Sequence, residues 1–529
     1  MPPASPEDPP DHGPPAGGQG QPAAGAPGQP GRDPDRPLVR RTIVADALLD
    51  AGERRRLGFP EGEDEALPVV VELNLRYREG LSGARRRFLE LYPAVPGEHL
   101  DPEPELIADT YFRCRLSVTQ VRALVAADMG DADPARSAIY RVWPDFPVGA
   151  LIDLSCATVK ADAARRSYGA SGRGITWAVI DSGIDASHPH FLTHDTLGGD
   201  VADLHRDFTL PGTPAMGAAL EDKFGHGTHI AGILAGGLPE RLPEDLSLEV
   251  LERVGDPNQP ELPRIHQREL PTPALLAGMA PECKLISLKA LDDRGGGSSM
   301  NVVRALEHVR RELNGSGKLL RVHGVNLSVG YEFDPKWFAC GQSPVCSEVD
   351  RLVRSGVVVV VAAGNTGYGS LSSIQRQTDV GLTMTINDPG NAELAITVGA
   401  THRDMPHTYG VSYFSSKGPT GDGRAKPDLV APGERITSCA AGRTLASVHP
   451  DSPPPDPAHL AVYVEDSGTS MAAPHVSGVI AAFLSIRREF IGQPEQVKRI
   501  FLESATSLGR ERYFQGNGLV DLMRAIQSV

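Results

Sequence analysis

The stretch Gly468-Thr469-Ser470-Met471-Ala472-Ala473-Pro474-His475 leads into an apolar, small-residue run from Val476 to Leu484. That composition predicts a helix buried on nearly every side. A serine where a tight turn enters such a helix has an exposed hydroxyl, and its own backbone N–H lies near the positive helix end. Both features suit a nucleophile whose attack creates negative charge close by. Serine is also a common helix starter, so a plain N-cap role competes with catalysis until other residues decide.

Working outward, Ile175 to Asp181 is an apolar run that predicts a buried parallel strand ending in a carboxylate, followed by the turn Ser182-Gly183-Ile184-Asp185. In an open α/β sheet, chemistry collects beyond the C-terminal strand ends, where Asp181 falls; a turn-capping aspartate is the competing reading. Asp222-Lys223-Phe224-Gly225-His226-Gly227-Thr228-His229 precedes another small, apolar helix. The small residues around His226 allow close approach of backbone and substrate. A zinc pair with His229 is disfavoured, because the spacing is three and the intervening glutamate is missing. His229 is assigned to the core as a hydrogen-bonded histidine. Five valines, 357–361, run into Ala362-Ala363-Gly364-Asn365-Thr366-Gly367, where Asn365 is either a turn residue or an amide donor aimed at an oxyanion.

Lys284 to Leu291 and Val322 to Ser328 read as further strands. Strands alternating with helical segments predict an α/β fold, a mostly parallel sheet with helices on both faces. After the first of these, Gly295-Gly296-Gly297 lacks the Gly-Lys-Ser/Thr ending of a phosphate loop, so glycines that let an extended peptide lie alongside are the better reading.

Asp181, His226 and Ser470 occur in the order Asp…His…Ser, one of the three known orders of the serine-protease triad. With the Asn365 turn, these motifs resemble the subtilisin-like serine peptidases (subtilases) over roughly residues 150–529. The resemblance implies that Ser470 is the nucleophile, His226 its general base, Asp181 the group that orients the imidazole, and Asn365 with the Ser470 N–H the oxyanion donors. It also implies that Gly295, Gly296 and Gly297 on one side, and Ser328, Val329 and Gly330 on the other, flank a substrate laid in as a β-strand. Ala363 and Gly364, with Ala362 and Thr366, would border the first specificity pocket, whose small, uncharged lining suggests an uncharged P1 residue. Where many subtilases place a calcium-ligating aspartate, Ser187-His188-Pro189-His190 supplies His190, and imidazole suits a hard cation poorly. The common calcium site is therefore not expected, calcium elsewhere stays open, and no cofactor or metal is assigned. A peptide ligase or cyclase using the same acyl-enzyme, and a non-catalytic binding module, are the alternative functions.

The remaining chain divides by composition. Residues 1–40 are rich in proline and glycine and read as a disordered tail. Residues 41–149 read as a small α+β domain: strands over Val69–Leu75, Thr110–Leu116 and Ala138–Trp143, a helix over Gly83–Leu91, and a second helix after the capping-box pair Ser117 and Gln120. The resemblance to subtilases, which often carry a propeptide ahead of the catalytic domain, implies that this unit, similar in length, position and element order, is a propeptide-like domain acting as an intramolecular inhibitor. Residues 143–150 would then lie in the cleft, and self-cleavage would fall between about 143 and 160. The catalytic domain, 150–529, carries insertions near 238–276 and 441–460.

A net charge of −15 argues against a nucleic-acid partner. Six scattered cysteines argue against a disulfide scaffold. No apolar run is read as long enough for a membrane span, and the first residues lack a secretory pattern, so a cytoplasmic protein acting on protein or peptide substrates is expected.

Overall fold

The computed structural model describes residues 43–529 except 57–58, 98–100, 102, 109, 130–135, 145–152, 211, 213, 257–258, 335, 337–338, 373–376, 450–455 and 457–458. The tail expected over 1–40, and residues 145–150 of the segment expected in the cleft, lie outside these. The chain forms two compact units, Met1–Val148 and Gly149–Val529.

In the first unit, β1 (Leu67–Leu73), β2 (Glu105–Ala108), β3 (Tyr111–Leu116) and β4 (Ile139–Pro144) form an antiparallel sheet in the order β2-β3-β1-β4. Burial alternates strictly along β1, as a strand with one covered face requires. Two helices, Gly80–Leu91 and Val118–Asp128, contribute Phe88, Val121 and Leu124 to the core, where Phe88 meets Phe112 at 4.8 Å between ring centroids. The second helix starts on the expected capping box: the Ser117 hydroxyl accepts from Gln120 N at 3.1 Å, and Ser117 N donates to Gln120 Oε1 at 2.9 Å. The strand missed from sequence, β2, is a four-residue edge with too few positions for a periodic signal.

The second unit contains, in chain order, β5 (Thr176–Asp181), β6 (Arg206–Asp207), β7 (Ser247–Asp256), β8 (Gln259–Gln267), β9 (Lys284–Lys289), β10 (Gly324–Leu327), β11 (Val358–Ala362), β12 (Tyr368–Ser372), β13 (Gln377–Gly381), β14 (Ile396–His402), β15 (Leu429–Glu434), β16 (Ile436–Cys439) and β17 (Leu460–Asp466). Seven of these form one parallel sheet in the order β15-β14-β11-β10-β5-β9-β6. Alternate residues of β5 face opposite cores. Trp177 and Val179 join the side covered by helices His226–Leu234 and Thr469–Ile486, while Ala178 and Ile180 join the side covered by Ser299–His308 and Pro344–Arg354. Gly324 on β10 makes room for this packing, since a Cβ there would stand 2.2 Å from the Trp177 ring.

Two departures from the sequence reading are informative. The stretch 238–276, read as a surface insertion, carries the β7–β8 hairpin, which pairs in parallel with β17 and buries Val250. Pro260 and Pro263 mask β8 in sequence; it is an edge strand, where a missing N–H is tolerated. The second departure is helix Thr469–Ile486, which with 18 residues and a mean hydropathy of 1.4 is long and apolar enough to cross a membrane. The expectation that no run reaches that length is corrected. Interspersed Ala, Gly and Ser weaken its apolar appearance in sequence, yet 83% of it is buried inside the domain, against β10, β11, β14, β15 and the His226 helix.

Candidate active site

The parallel order sets four strand ends side by side. β9 ends at Lys289 and β5 at Asp181, β10 runs out into Ser328, and β11 into the Asn365 turn. Two helices then deliver a histidine and a serine to that edge.

His226 opens its helix between two glycines for a steric reason. A Cβ on Gly225, where φ is 97°, would lie 2.2 Å from Ala441 O, and one on Gly227 would lie 2.1 Å from Gly183 O. The helix start is held by the buried carboxylate of Asp222. It accepts from Gly225 N and Thr228 N, each at 2.8 Å, from Thr228 Oγ1 at 2.7 Å and from Ser182 Oγ at 2.9 Å. Burial pushes the Asp222 carboxyl up from its ordinary value, against the pull of the Gly225 and Thr228 donors.

Asp181 Oδ1 lies 2.8 Å from His226 Nδ1 and accepts from Ser182 N at 2.8 Å; Oδ2 has no hydrogen-bond partner among the described residues. The carboxylate is 1% exposed and the imidazole 19%, so a nearly dry anion faces a ring with one open edge. Burial pulls the His226 imidazole down, but the charge and hydrogen bond of Asp181, with Asp466 and Asp222 adding theirs, outweigh it and raise the group to about 9. The bond also makes Nδ1 the protonated nitrogen of the neutral ring, leaving Nε2 as the basic one. His229, by contrast, is buried with Nε2 against Val464 O at 3.1 Å, the core role expected of it.

Ser470 is the second residue of its helix, and its hydroxyl donates to Ser328 O at 3.0 Å. Pro474 stands four residues on, so Ser470 O lacks the helical N–H it would otherwise receive. The Ser328 hydroxyl supplies that donor at 2.8 Å. Ser328 is in turn fixed by Asn326 Nδ2 at 2.9 Å, whose Oδ1 accepts from Ser477 Oγ at 2.9 Å.

The Asn365 amide is oriented by Thr469. Its Oδ1 accepts from Thr469 N at 2.9 Å and Thr469 Oγ1 at 3.0 Å, while the Thr469 hydroxyl accepts from Gly364 N at 3.1 Å. With both donors on Oδ1, the NH2 group is turned away from Thr469. A Cβ on Gly468 would stand 3.3 Å from Asn365 Nδ2 and 3.7 Å from Ser470 N, so these two donors flank the space the glycine leaves empty.

The other predicted residues fall as follows. Gly295 to Gly297 form a turn stiffened by Asp292 Oδ1, which accepts from Arg294 N at 2.8 Å and Gly296 N at 2.9 Å. Val329 and Gly330 continue from Ser328 along the extension of β10. Ala363 is fully buried, whereas Gly364 packs on the Asn387 amide, whose Oδ1 accepts from Thr366 Oγ1 at 3.0 Å. His190 is buried too, with Nδ1 against Tyr463 Oη at 2.9 Å and Nε2 against Gly232 O and Ala235 O at 3.2 and 3.0 Å. Burial lowers it to about 3, so the neutral ring fills this place. Among the described residues, no group of three or more His, Cys, Asp and Glu side chains is arranged to hold a metal ion. Asp222, Thr469, Asn326, Ser477 and Asn387 were missed from sequence; the available signal was polarity inside otherwise apolar runs, as for Asn326 in β10.

The subtilase family profile matches residues 172–518. Alkaline protease of Alkalihalobacillus alcalophilus is 29% identical over 482 residues, covering 90% of this chain and 92% of that protein. Subtilisin E of Bacillus subtilis is 28% identical over 376 residues, 71% of each. Serine protease AprX of Bacillus subtilis is 27% identical over 372 residues, 69% of each. With a parallel sheet whose strand ends gather an aspartate, a histidine and a serine, and a family match across most of its length, this chain belongs to the subtilase family and is a serine-type endopeptidase.

Proposed function

We propose that this endopeptidase works through an acyl-enzyme on Ser470. The observation that carries the reading is the 2.8 Å bond between His226 Nδ1 and the buried Asp181, which leaves Nε2 as the base. The Ser470 hydroxyl leaves Ser328 O for His226 Nε2 when substrate enters, and its oxygen attacks the scissile carbonyl as Nε2 takes the proton. Asn365 Nδ2 and Ser470 N donate to the resulting oxyanion. Collapse breaks the C–N bond, the imidazolium gives its proton to the leaving amine, and water repeats the sequence to release the acid. The substrate runs between 295–297 and 328–330. The His190 position is read as a tethered imidazole in place of a metal, because both ring nitrogens are engaged and neither suits calcium.

The unit before residue 149 is proposed as a propeptide that inhibits the site, supported by its compact α+β build and its place ahead of the catalytic unit. Purified full-length chain beside Ser470→Ala tests both ideas. Fluorophosphonate labelling of the first and not the second is expected, with intact mass revealing cleavage between about 143 and 160 only in the first. Labelling that survives Ser470→Ala overturns the nucleophile, and truncation that survives it overturns self-processing. Product masses from a defined peptide separate hydrolysis from ligation.

A further inference from the structure

Lys289 is 2% exposed at the end of β9, in parallel register with Asp181 on β5. A buried ammonium is costly unless its donors are met, and an apolar residue would be the cheaper end to such a strand. Its Nζ donates to Ser182 O at 2.7 Å, Asp293 Oδ1 at 3.1 Å and Glu221 O at 3.4 Å. Those acceptors belong to three separate segments. Ser182 follows Asp181, and its hydroxyl both donates to Asp222 and accepts from Gly227 N, next to His226. Glu221 precedes Asp222, the cap of the His226 helix. Asp293 begins the turn to Gly295–Gly297, and Lys223 Nζ, from the His226 loop, also reaches it at 3.1 Å.

We infer that Lys289 is a positioning residue for the reaction: its ammonium keeps the Asp181–His226 pair in register with the glycine turn along which substrate lies. The inference rests on the protease reading above. Without the ammonium, Ser182 O and Glu221 O lose a shared donor and the turn loses its tie to the strand ends. A displacement of about 1 Å in such a constellation costs on the order of 10² in rate.

The test is Lys289→Met in the full chain, with kcat and KM referred to active sites titrated by a fluorophosphonate. An extended peptide is compared with a short ester that fills only the first specificity pocket. Expected are a kcat loss of about 10² on both substrates and a KM rise of about tenfold on the extended peptide alone, with Lys289→Arg recovering part of the loss. Normal kcat and KM per titrated site overturn the inference, even if fewer sites titrate, because that pattern marks a folding role only. Should Lys289→Met fail to fold, the half-exposed Asp293→Asn decides. It is expected to raise KM more for the extended peptide than for the ester, and equal changes overturn the inference. A wild-type chain that neither labels nor cleaves overturns the protease reading as well; an active wild type insensitive at Lys289 overturns this inference alone.

Discussion

The helices that carry His226 and Ser470 begin in chemically opposite ways. The His226 helix starts on the Asp222 carboxylate, with Asp181 against the ring of its first residue. The Ser470 helix starts among neutral groups, the Thr469 hydroxyl, the Asn365 amide and the Ser328 hydroxyl. Under the proposed mechanism, each end carries the electrostatics that its reactive group needs. A carboxylate beside the imidazole favours the imidazolium formed during attack, and one beside Ser470 would repel the oxyanion. At about 4 Å and an effective dielectric near 20, such a pair interacts by roughly 4 kcal/mol, enough to decide a rate.

Erasing either end produces the largest effect. Ser470→Ala should lower kcat by about six orders of magnitude, and Asp181→Asn by about 10⁴, each measured on a peptide substrate with active sites titrated in the parent. Exchanging the sign of the serine end comes next. Asn365→Ala should cost on the order of 10²–10³ in kcat. Asn365→Asp keeps the acceptor for Thr469 but replaces the free amide by a carboxylate oxygen, and should fall below it. Should the aspartate variant match or exceed the alanine variant, the contrast between the two ends is broken.

A smaller effect is expected at the histidine end. The proposed mechanism needs His226 neutral, and Asp181, Asp466 and Asp222 hold it up to about 9, so kcat/KM should rise with pH along a limb above the ordinary imidazole range. Asp222→Asn should move that limb to lower pH and cost about tenfold in kcat/KM at alkaline pH. A limb that stays in place would remove Asp222 from the account. The linked stability follows the same sign: the fold favours protonated His226, so that contribution is complete below about pH 6.5 and is lost as pH rises through about 9. The smallest effect is Ser328→Ala, which leaves Ser470 O without its replacement donor. It should lower stability by about 1–3 kcal/mol, read as a fall in Tm of a few degrees.

What could be read in the sequence differs in kind from what could not. Asp181, His226, Asn365 and Ser470 lie at boundaries between apolar runs and small-residue turns, and β5, β9, β10 and β11 announce themselves by continuous burial. These are local signals. Asp222 was visible but mute, because its four partners lie on two segments that only the fold joins. The Asn326–Ser477 bond joins a strand to a helix 151 positions away, and no periodicity encodes such a pairing. The β7–β8 hairpin was hidden by its own prolines, which an edge strand accepts and a central one does not.

The apolar helix Thr469–Ile486 has a consequence before the protein has folded. In the finished domain it is sealed behind the parallel sheet and neighbouring helices, but in a nascent or heat-opened chain it is an 18-residue segment long and apolar enough for a lipid bilayer, a chaperone or a second chain to accept. The partners that cover it include the His226 helix and strands spread between residues 324 and 434, so its concealment waits on long-range closure. Variants that loosen the sheet should therefore be lost to aggregation or membrane association sooner than to simple inactivation.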